Sequence, residues 1–583
     1  MNSTGTGNGN GNFLYRRLAF IKLVFLIIIF IVIVRLFDLQ ILNHAWYEAL
    51  ASGQHDVLSE LIPKRGQIYI QDKYAASGRI MAAVNRDATL LYAVPEEITD
   101  VDQVAEKLSP LIDMDVEQLK LLINKPGDPY EPLLHQVPEE LVKNINQLQL
   151  AGIKFTTETM RYYAPIPDLG QVTGFLGYNE NLRQGQYGIE GFWEKTLAGK
   201  QGSLRAEKDV AGSLIALGKR DIISAINGSD IVLTIDYNIQ LDACTELEKA
   251  VKKHGADSGS LIIMDPKSGA IKALCNAPNF DPNNYGEVEN IKFFTNPVIS
   301  HPYEPGSVFK PITIAAALHS GAVTPETIYE DTGQVVIGSK VIKNSDEQAH
   351  GQQTMISVLE KSLNTGAIFA MRQAGAENFQ KMVVNFGFGS LFNIELPTES
   401  TGDIRSIYEN NEIYLATASF GQGISVTPLQ LITAYSAIAN RGILMRPYIV
   451  KEIIAPDGRS EITSVQEIRA VLTPMEARTL AGMMVQVVEE GHGKRAGVPG
   501  YYVAGKTGTA QVPLQNKAGY DPDKTIGTFV GFAPVDDPIF VMLVKIDNPK
   551  DVTFAESTAA PLFGRVAKFL LDYYQVPPER EIK

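Results

Sequence analysis

The first long pattern in the chain is apolar almost without interruption: LAFIKLVFLIIIFIVIVRLF, Leu18 to Phe37, is broken only by Lys22 and Arg35. Roughly 20 residues of helix span a bilayer core, and basic side chains near the ends of such a run snorkel to the headgroups. A membrane-spanning helix is therefore expected within an anchor at 13–40. Helical spacing continues through RLFDLQILNHAWYEALASGQH, after which PKRGQIYIQD and ATLLYAVP read as strands. From about 100 to 155 the pattern changes again. VDQVAEKLSPLI, DVEQLKLLIN and PEELVKNINQLQL each place apolar residues at i, i+3 and i+4 behind a Pro, Gly or Asp boundary, which predicts short helices inserted in a strand-built module. Turn-rich sequence follows, and residues 41–225 read as one elongated, non-catalytic α+β region. A new style begins near 226. Ile231–Ile235 predicts a strand, Tyr237 to His254 an amphipathic helix, and GSLIIM with AIKALC an antiparallel hairpin around DPKSG. GTFVGFAP, IFVMLVKID and a final helix in APLFGRVAKFLLDYY complete a domain of helices packed on an antiparallel sheet, 226–577, before a short tail at 578–583. The expected fold class is α+β.

Composition narrows the partners. With 583 residues, 45% hydrophobic and 20% charged, the chain is long enough for two or three domains with real cores. A formal charge of -14 argues against nucleic acid, which wants a basic face. The eight histidines form no HExxH or paired cluster, and Cys244 and Cys275 have no metal-like spacing. Neither a metal nor a cofactor is expected. A disulfide between the two cysteines is open but disfavoured, since a single loop joining two core cysteines gives no framework. Arg16, Arg17 and Lys22 at the start of the apolar run place the low-complexity tail at 1–12 in the cytoplasm, and everything beyond about residue 40 outside. A cleaved signal peptide competes, with Ala49–Ala51 as the processing site. That site lies past Arg35 and Asp38, well beyond the apolar run, so an uncleaved anchor is preferred.

The stretch GYYVAGKTGTA, Gly500 to Ala510, fits two chemistries. From Gly500 to Thr507 it matches the phosphate-loop pattern G-x-x-x-x-G-K-[ST]. A phosphate loop must bend through small residues and open a helix, whereas Tyr501, Tyr502 and Val503 favour extended structure and Pro513 follows closely. A nucleotide is not expected. As K-T-G, the same residues form a strand carrying Lys506 and Thr507 at an edge, with Gly508 leaving room for a bound backbone. KSG at Lys267–Gly269 also matches and is better read as a hairpin turn. Upstream, Ser307 and Lys310 make S-x-x-K at a helix start, which puts both on one helix face and aims the helix dipole at the serine. Pro311 is tolerable only in that first turn, and Gly321 marks the stop. Ser362 and Asn364 make S-x-N. Each motif alone is what chance delivers. The ordered set of three is the signature of penicillin-binding proteins and class A β-lactamases.

The wider context is more specific. RGQIYIQD, GQYGIEGFWEKTLAGKQG, LTIDYNIQ, MDPKSGAIKAL, NPVISHPYEPGSVFKPIT, FGQGISVTPLQLITAYSAIANRG and AGKTGTAQV resemble the landmarks of the monofunctional class B penicillin-binding proteins. The resemblance covers almost everything after residue 13. It implies a pedestal or dimerisation-type domain, a transpeptidase domain with a five-stranded antiparallel sheet, and peptidoglycan D,D-transpeptidation. It implies Ser307 as nucleophile, Lys310 as general base, Ser362 as proton relay and Asn364 as holder of Lys310 and the substrate amide. Lys506 and Thr507 would bind the terminal carboxylate, and the N–H groups of Ser307 and Thr509 would form the oxyanion hole. Expected partners are stem peptides, β-lactams, a polytopic glycosyltransferase and division proteins. The single anchor, the inserted helices, RYYAP and STAAPLFGRVAKFL resemble the cell-division branch most, with cell elongation as the alternative. A hydrolase, either carboxypeptidase or β-lactamase, and a non-catalytic sensor or scaffold are further alternatives. Three departures bear on partners and substrate fit: Ala164 for a proline, QDKYAASGR for a compact turn, and Leu363 for a serine.

Overall fold

The computed structural model describes residues 11–42, 56–179, 182–207, 220–409, 411–514 and 519–581. Residues 1–10 of the expected tail and the Ala49–Ala51 triplet lie outside the described residues. Two compact units are present. In the first, made of residues up to Pro63 and Gly199–Asn227, a helix runs from Gly11 to Phe37 and exposes its apolar side chains from Ile21 onward. It begins inside the segment expected as tail. Among the described residues no helix is long and apolar enough to cross a membrane. Asp56–Leu61, Gly202–Glu207 and Arg220–Ile223 form a three-stranded antiparallel sheet.

The second unit contains Lys64–Ala198 and Gly228–Lys583 and holds two large sheets. In one, Ser460–Ile462, Val450–Ile454, Asp230–Asp236, Ile68–Gln71, Arg79–Ala93 and Glu131–Leu134 follow in order, and Ile153–Tyr163 also pairs with Arg79–Ala93. Asp230–Asp236 lies parallel to Ile68–Gln71 and antiparallel to Val450–Ile454. A boundary drawn near residue 225 from the change in pattern is thus bridged by backbone hydrogen bonds, because pairing between distant segments leaves no periodic mark. The inserted helices are Val101–Ile112, Val116–Ile123 and Glu139–Gln147. They enclose a small core with Leu108, Leu119 and Ile145. Asp100 and Asp115 cap the first two by accepting from Gln103 N and from Glu117 N and Gln118 N, each worth about 1 kcal/mol.

The other sheet is the expected five-stranded antiparallel one, in the order Ile271–Ala277, Ser258–Met264, Phe540–Asp547, Tyr520–Ala533, Ala504–Pro513. Its central strands are apolar without alternation because both faces are covered. Leu261 and Ile263 join the cluster of Leu247, Phe563 and Leu570 from helices Tyr237–Lys253 and Ala559–Tyr573. Ile262 and Met264 face the larger core of Phe309, Ile312 and Ile432. Lys267–Gly269 is a hairpin turn as expected: Asp265 accepts from Lys267 N, and Gly269 sits at φ 82°. The cysteine expectation is corrected. Cys244 on the helix and Cys275 on the edge strand lie with Cα atoms 5.2 Å apart and are joined in a disulfide. The packing of helix on strand aligns the two positions, a juxtaposition that sequence spacing does not express.

Candidate active site

Ser307 lies in a 3-10 turn, Gly306–Phe309, that runs directly into the helix Lys310–His319. Gly306 takes φ 61° to make the bend, and its N–H donates to Gly421 O at 3.0 Å. A side chain on Gly421 would come within 2.2 Å of Gly306 O, so only glycine fits there. Pro311 sits in the first helical turn, and Gly321 follows the last at φ 69°, both as the sequence predicts. The helix is held from its sides: Tyr435 Oη donates to Val308 O at 2.6 Å and Thr313 Oγ1 to Ser419 O at 2.7 Å.

Lys310 has no exposed surface. Its Nζ lies 3.0 Å from Ser307 Oγ and 3.2 Å from Ser362 Oγ, and it also donates to the Ser362 carbonyl. Lys506 Nζ reaches the same Ser362 Oγ at 3.1 Å from the opposite side. The result is a continuous path Ser307, Lys310, Ser362, Lys506. Ser362 occupies the link between helices Met355–Glu360 and Asn364–Ala374 at φ 56°. A non-glycine residue there costs about 1–2 kcal/mol, and the two lysines converge on the hydroxyl so placed. Burial, with the charge of Lys506 added, holds the Lys310 ammonium well below its ordinary range. Burial alone brings Lys506 down to about 7. Asn364 opens its helix, and its Nδ2 donates to Lys343 O at 2.9 Å; Lys310 is held by Ser362 in its place. Behind it, the buried Asp331 accepts from Thr365 Oγ1 and from Asn344 Nδ2, which fixes the start of the same helix.

Lys506, Thr507, Gly508 and Thr509 lie on the edge strand Ala504–Pro513, where Lys506 pairs with Val530. The phosphate-loop geometry is thereby replaced by a strand. Lys506 also donates to Thr507 O, and Thr509 Oγ1 accepts from Ala555 N at 3.1 Å. Gly508 lies against the serine's turn. An added Cβ would lie 2.9 Å from Val308 Cγ1 and 3.0 Å from Pro305 O. The space a side chain would take is filled by the turn that carries Ser307. Among the described residues, the one group of His, Cys, Asp and Glu with ligand-like spacing is Asp168, Cys244 and Cys275. Its sulfurs are spent in the disulfide.

Sequence reasoning found the three motifs and missed their supports, Tyr435, Thr313, Gly421 and Asp331. One of these supports was readable. VTPLQ carries a capping box, Thr427 with Gln430, and Pro428 at the first position of helix Pro428–Ala439, which brings Tyr435 onto the serine's turn.

A five-stranded antiparallel sheet with this serine and lysine path at one edge is the architecture of the penicillin-binding transpeptidases. Residues 259–568 match the family described as penicillin binding protein transpeptidase domain, and residues 60–233 the penicillin-binding protein dimerisation domain. The chain is 31% identical over 571 residues to stage V sporulation protein D of Bacillus subtilis (strain 168), covering 97% of this chain and 87% of that protein. It is 30% identical over 505 residues to the probable peptidoglycan D,D-transpeptidase PenA of Neisseria meningitidis (serogroup A), covering 86% and 84%. The crystal structure of penicillin-binding protein 3 from Mycobacterium tuberculosis, complexed with aztreonam, matches with a TM-score of 0.69 at 26% identity, over 90% of this chain and 99% of that one. The chain belongs to the class B penicillin-binding proteins, a family of peptidoglycan D,D-transpeptidases.

Proposed function

We propose that this chain cross-links peptidoglycan stem peptides through an acyl-enzyme on Ser307. The observation that carries the reading is the unbroken path from Ser307 Oγ to Lys310 Nζ to Ser362 Oγ to Lys506 Nζ, each step between 3.0 and 3.2 Å. A lysine pushed down by burial is neutral over more of the pH range, and a neutral amine beside a hydroxyl is a general base. Lys310 takes the Ser307 proton as the oxygen attacks the penultimate D-Ala carbonyl. Ser362 passes that proton to the departing D-Ala amine. Lys506 and Thr507 hold the terminal carboxylate, and the N–H groups of Ser307 and Thr509 receive the developing oxyanion. Asn364 contacts the substrate amide. An amine from a second stem then takes the acyl group, with the proton path running in reverse.

A β-lactam acylates the same serine, as an acyl donor whose leaving amine stays attached. The test is the intact mass of the protein with and without a β-lactam. A stable adduct that disappears in Ser307→Ala is expected. An adduct that decays within seconds would point to a hydrolase, and none at all would sink the enzymatic reading. The apolar run Leu18 to Phe37, with Arg16, Arg17 and Lys22 at its start, is our ground for proposing a single-pass anchor with the catalytic domain outside the cell membrane. Septal wall synthesis during division, beside a polytopic glycosyltransferase, is the cellular role we favour. The sporulation name of the B. subtilis relative supports a second reading, wall synthesis in spore formation. Imaging of a tagged protein at mid-cell or around the forespore separates the two.

A further inference from the structure

Glu304 is a carboxylate three residues before Ser307 whose role the acyl-transfer scheme leaves open. It is partly exposed. Its Oε2 accepts from Tyr520 Oη at 3.0 Å and its Oε1 from Gly423 N at 3.1 Å, both neutral donors. No cation pairs with it among the described residues. Burial raises its pKa, opposed by those two hydrogen bonds. A partly desolvated carboxylate gains most from a charged donor, because charge-assisted hydrogen bonds are roughly twice as strong as neutral ones.

Its place along the edge strand says what would supply that donor. The strand Ala504–Pro513 is paired on one side only, with Tyr520–Ala533. Lys506 and Thr507 lie near its beginning. The serine's turn faces its middle, where the Cβ direction of Gly306 points to within 3.4 Å of Ala510 Cβ and 3.5 Å of Thr509 O. Tyr520 is the strand partner of Pro513 at the far end, and Glu304 reaches to it from the near side of the same turn. Along the strand, then, come the lysine, the serine and the Glu304–Tyr520 pair, in that order. This step rests on the function proposed above. A donor peptide with its terminal carboxylate at Lys506 and its scissile carbonyl at Ser307 must continue toward Glu304. Extended chain advances about 3.3 Å per residue, so the residue preceding the two D-alanines lies between the serine and that end, and a long side chain on it extends toward Glu304. From this order we infer that Glu304, oriented by Tyr520 and Gly423, is a specificity residue that binds an ammonium group on the donor stem's side chain just before D-Ala-D-Ala.

The test compares two synthetic peptides ending in D-Ala-D-Ala that differ only at the preceding lysine, one with its free amine and one Nε-acetylated. The rate of release of D-Ala by the full-length protein is measured with each. Wild type is expected to prefer the free amine by about tenfold in kcat/KM, and Glu304→Gln to reduce that ratio to within about twofold. The ratio does not depend on how much of the variant folds. A second variant, Glu304→Lys, is expected to prefer an Nε-succinylated donor. Equal rates for the two donors in wild type, or a preference retained in Glu304→Gln, would overturn the subsite alone. Release from neither donor by wild type would overturn the acyl-transfer reading and the subsite with it.

Discussion

Lys506 shows what a single side chain costs and gains in this site. Its ammonium is fully buried without a carboxylate partner, and burial brings its pKa from 10.5 to about 7. In the unfolded chain the group keeps its proton to about pH 10.5, whereas the folded protein releases it above about 7. Between those values the unfolded state binds more protons, so folding stability rises with pH. Below about 7 the penalty is present in full. Lys506→Met is therefore expected to melt a few degrees higher than wild type at pH 6, with the gain shrinking toward pH 9, while losing D-Ala release. The same sign applies to substrate. Above about pH 7 the free enzyme loses the charge we propose to meet the carboxylate, so KM for a carboxylate-ended donor is expected to climb toward tenfold per pH unit while kcat holds. Thermal melts and initial rates across pH 5–9 check both halves. A pH-independent melting difference, or a flat KM, would count against a neutralised Lys506.

At the scale of elements, the site is made where a turn and an edge strand touch. Neither the helix Lys310–His319 nor the strand Ala504–Pro513 carries the chemistry alone. Gly508 sets their distance, since a Cβ there would press on Val308 and on the Pro305 carbonyl. Backbone yields less readily than side chain, so Gly508→Ala is expected to push the strand away from Ser307. A shift near 1 Å lowers rates by about 10²-fold when reacting groups must be held in line. The expectation is a loss of that order in β-lactam acylation with a change in melting temperature of no more than a few degrees. Acylation within a factor of three of wild type would show that the contact is slack. The motif K-T-G was legible in the sequence. The reason for its glycine was not, because the residues it touches, Val308 and Pro305, are 200 and 203 positions upstream.

In the whole second unit, the segment matched as dimerisation domain and the segment matched as transpeptidase domain are not independent pieces. Asp230–Asp236 gives one edge to Ile68–Gln71 and the other to Val450–Ile454, and its side chains Ile231, Leu233 and Ile235 share the core that contains Phe309. A fragment beginning at residue 259 would leave Val450–Ile454 without that neighbour and expose the core behind it. Such a fragment is expected to aggregate or to melt at least 10 °C below one spanning 64–583. Chromatography and calorimetry of the two fragments decide it. Equal melting points would mean that the shared sheet contributes little.

The sequence by itself determined which segments are apolar, which of them are helices or buried strands, and which three motifs carry Ser307, Lys310, Ser362, Asn364 and Lys506. Those properties are local, written in spacing, capping residues and turn chemistry. The tertiary structure alone decided that Cys244 meets Cys275, that Ser362 stands between two lysines, that Gly508 serves the serine's turn, and that a strand expected in the catalytic domain completes the other sheet. Each of these depends on two segments far apart in the chain being packed within a few ångströms. Periodicity within a segment says which face is buried and is silent about what buries it.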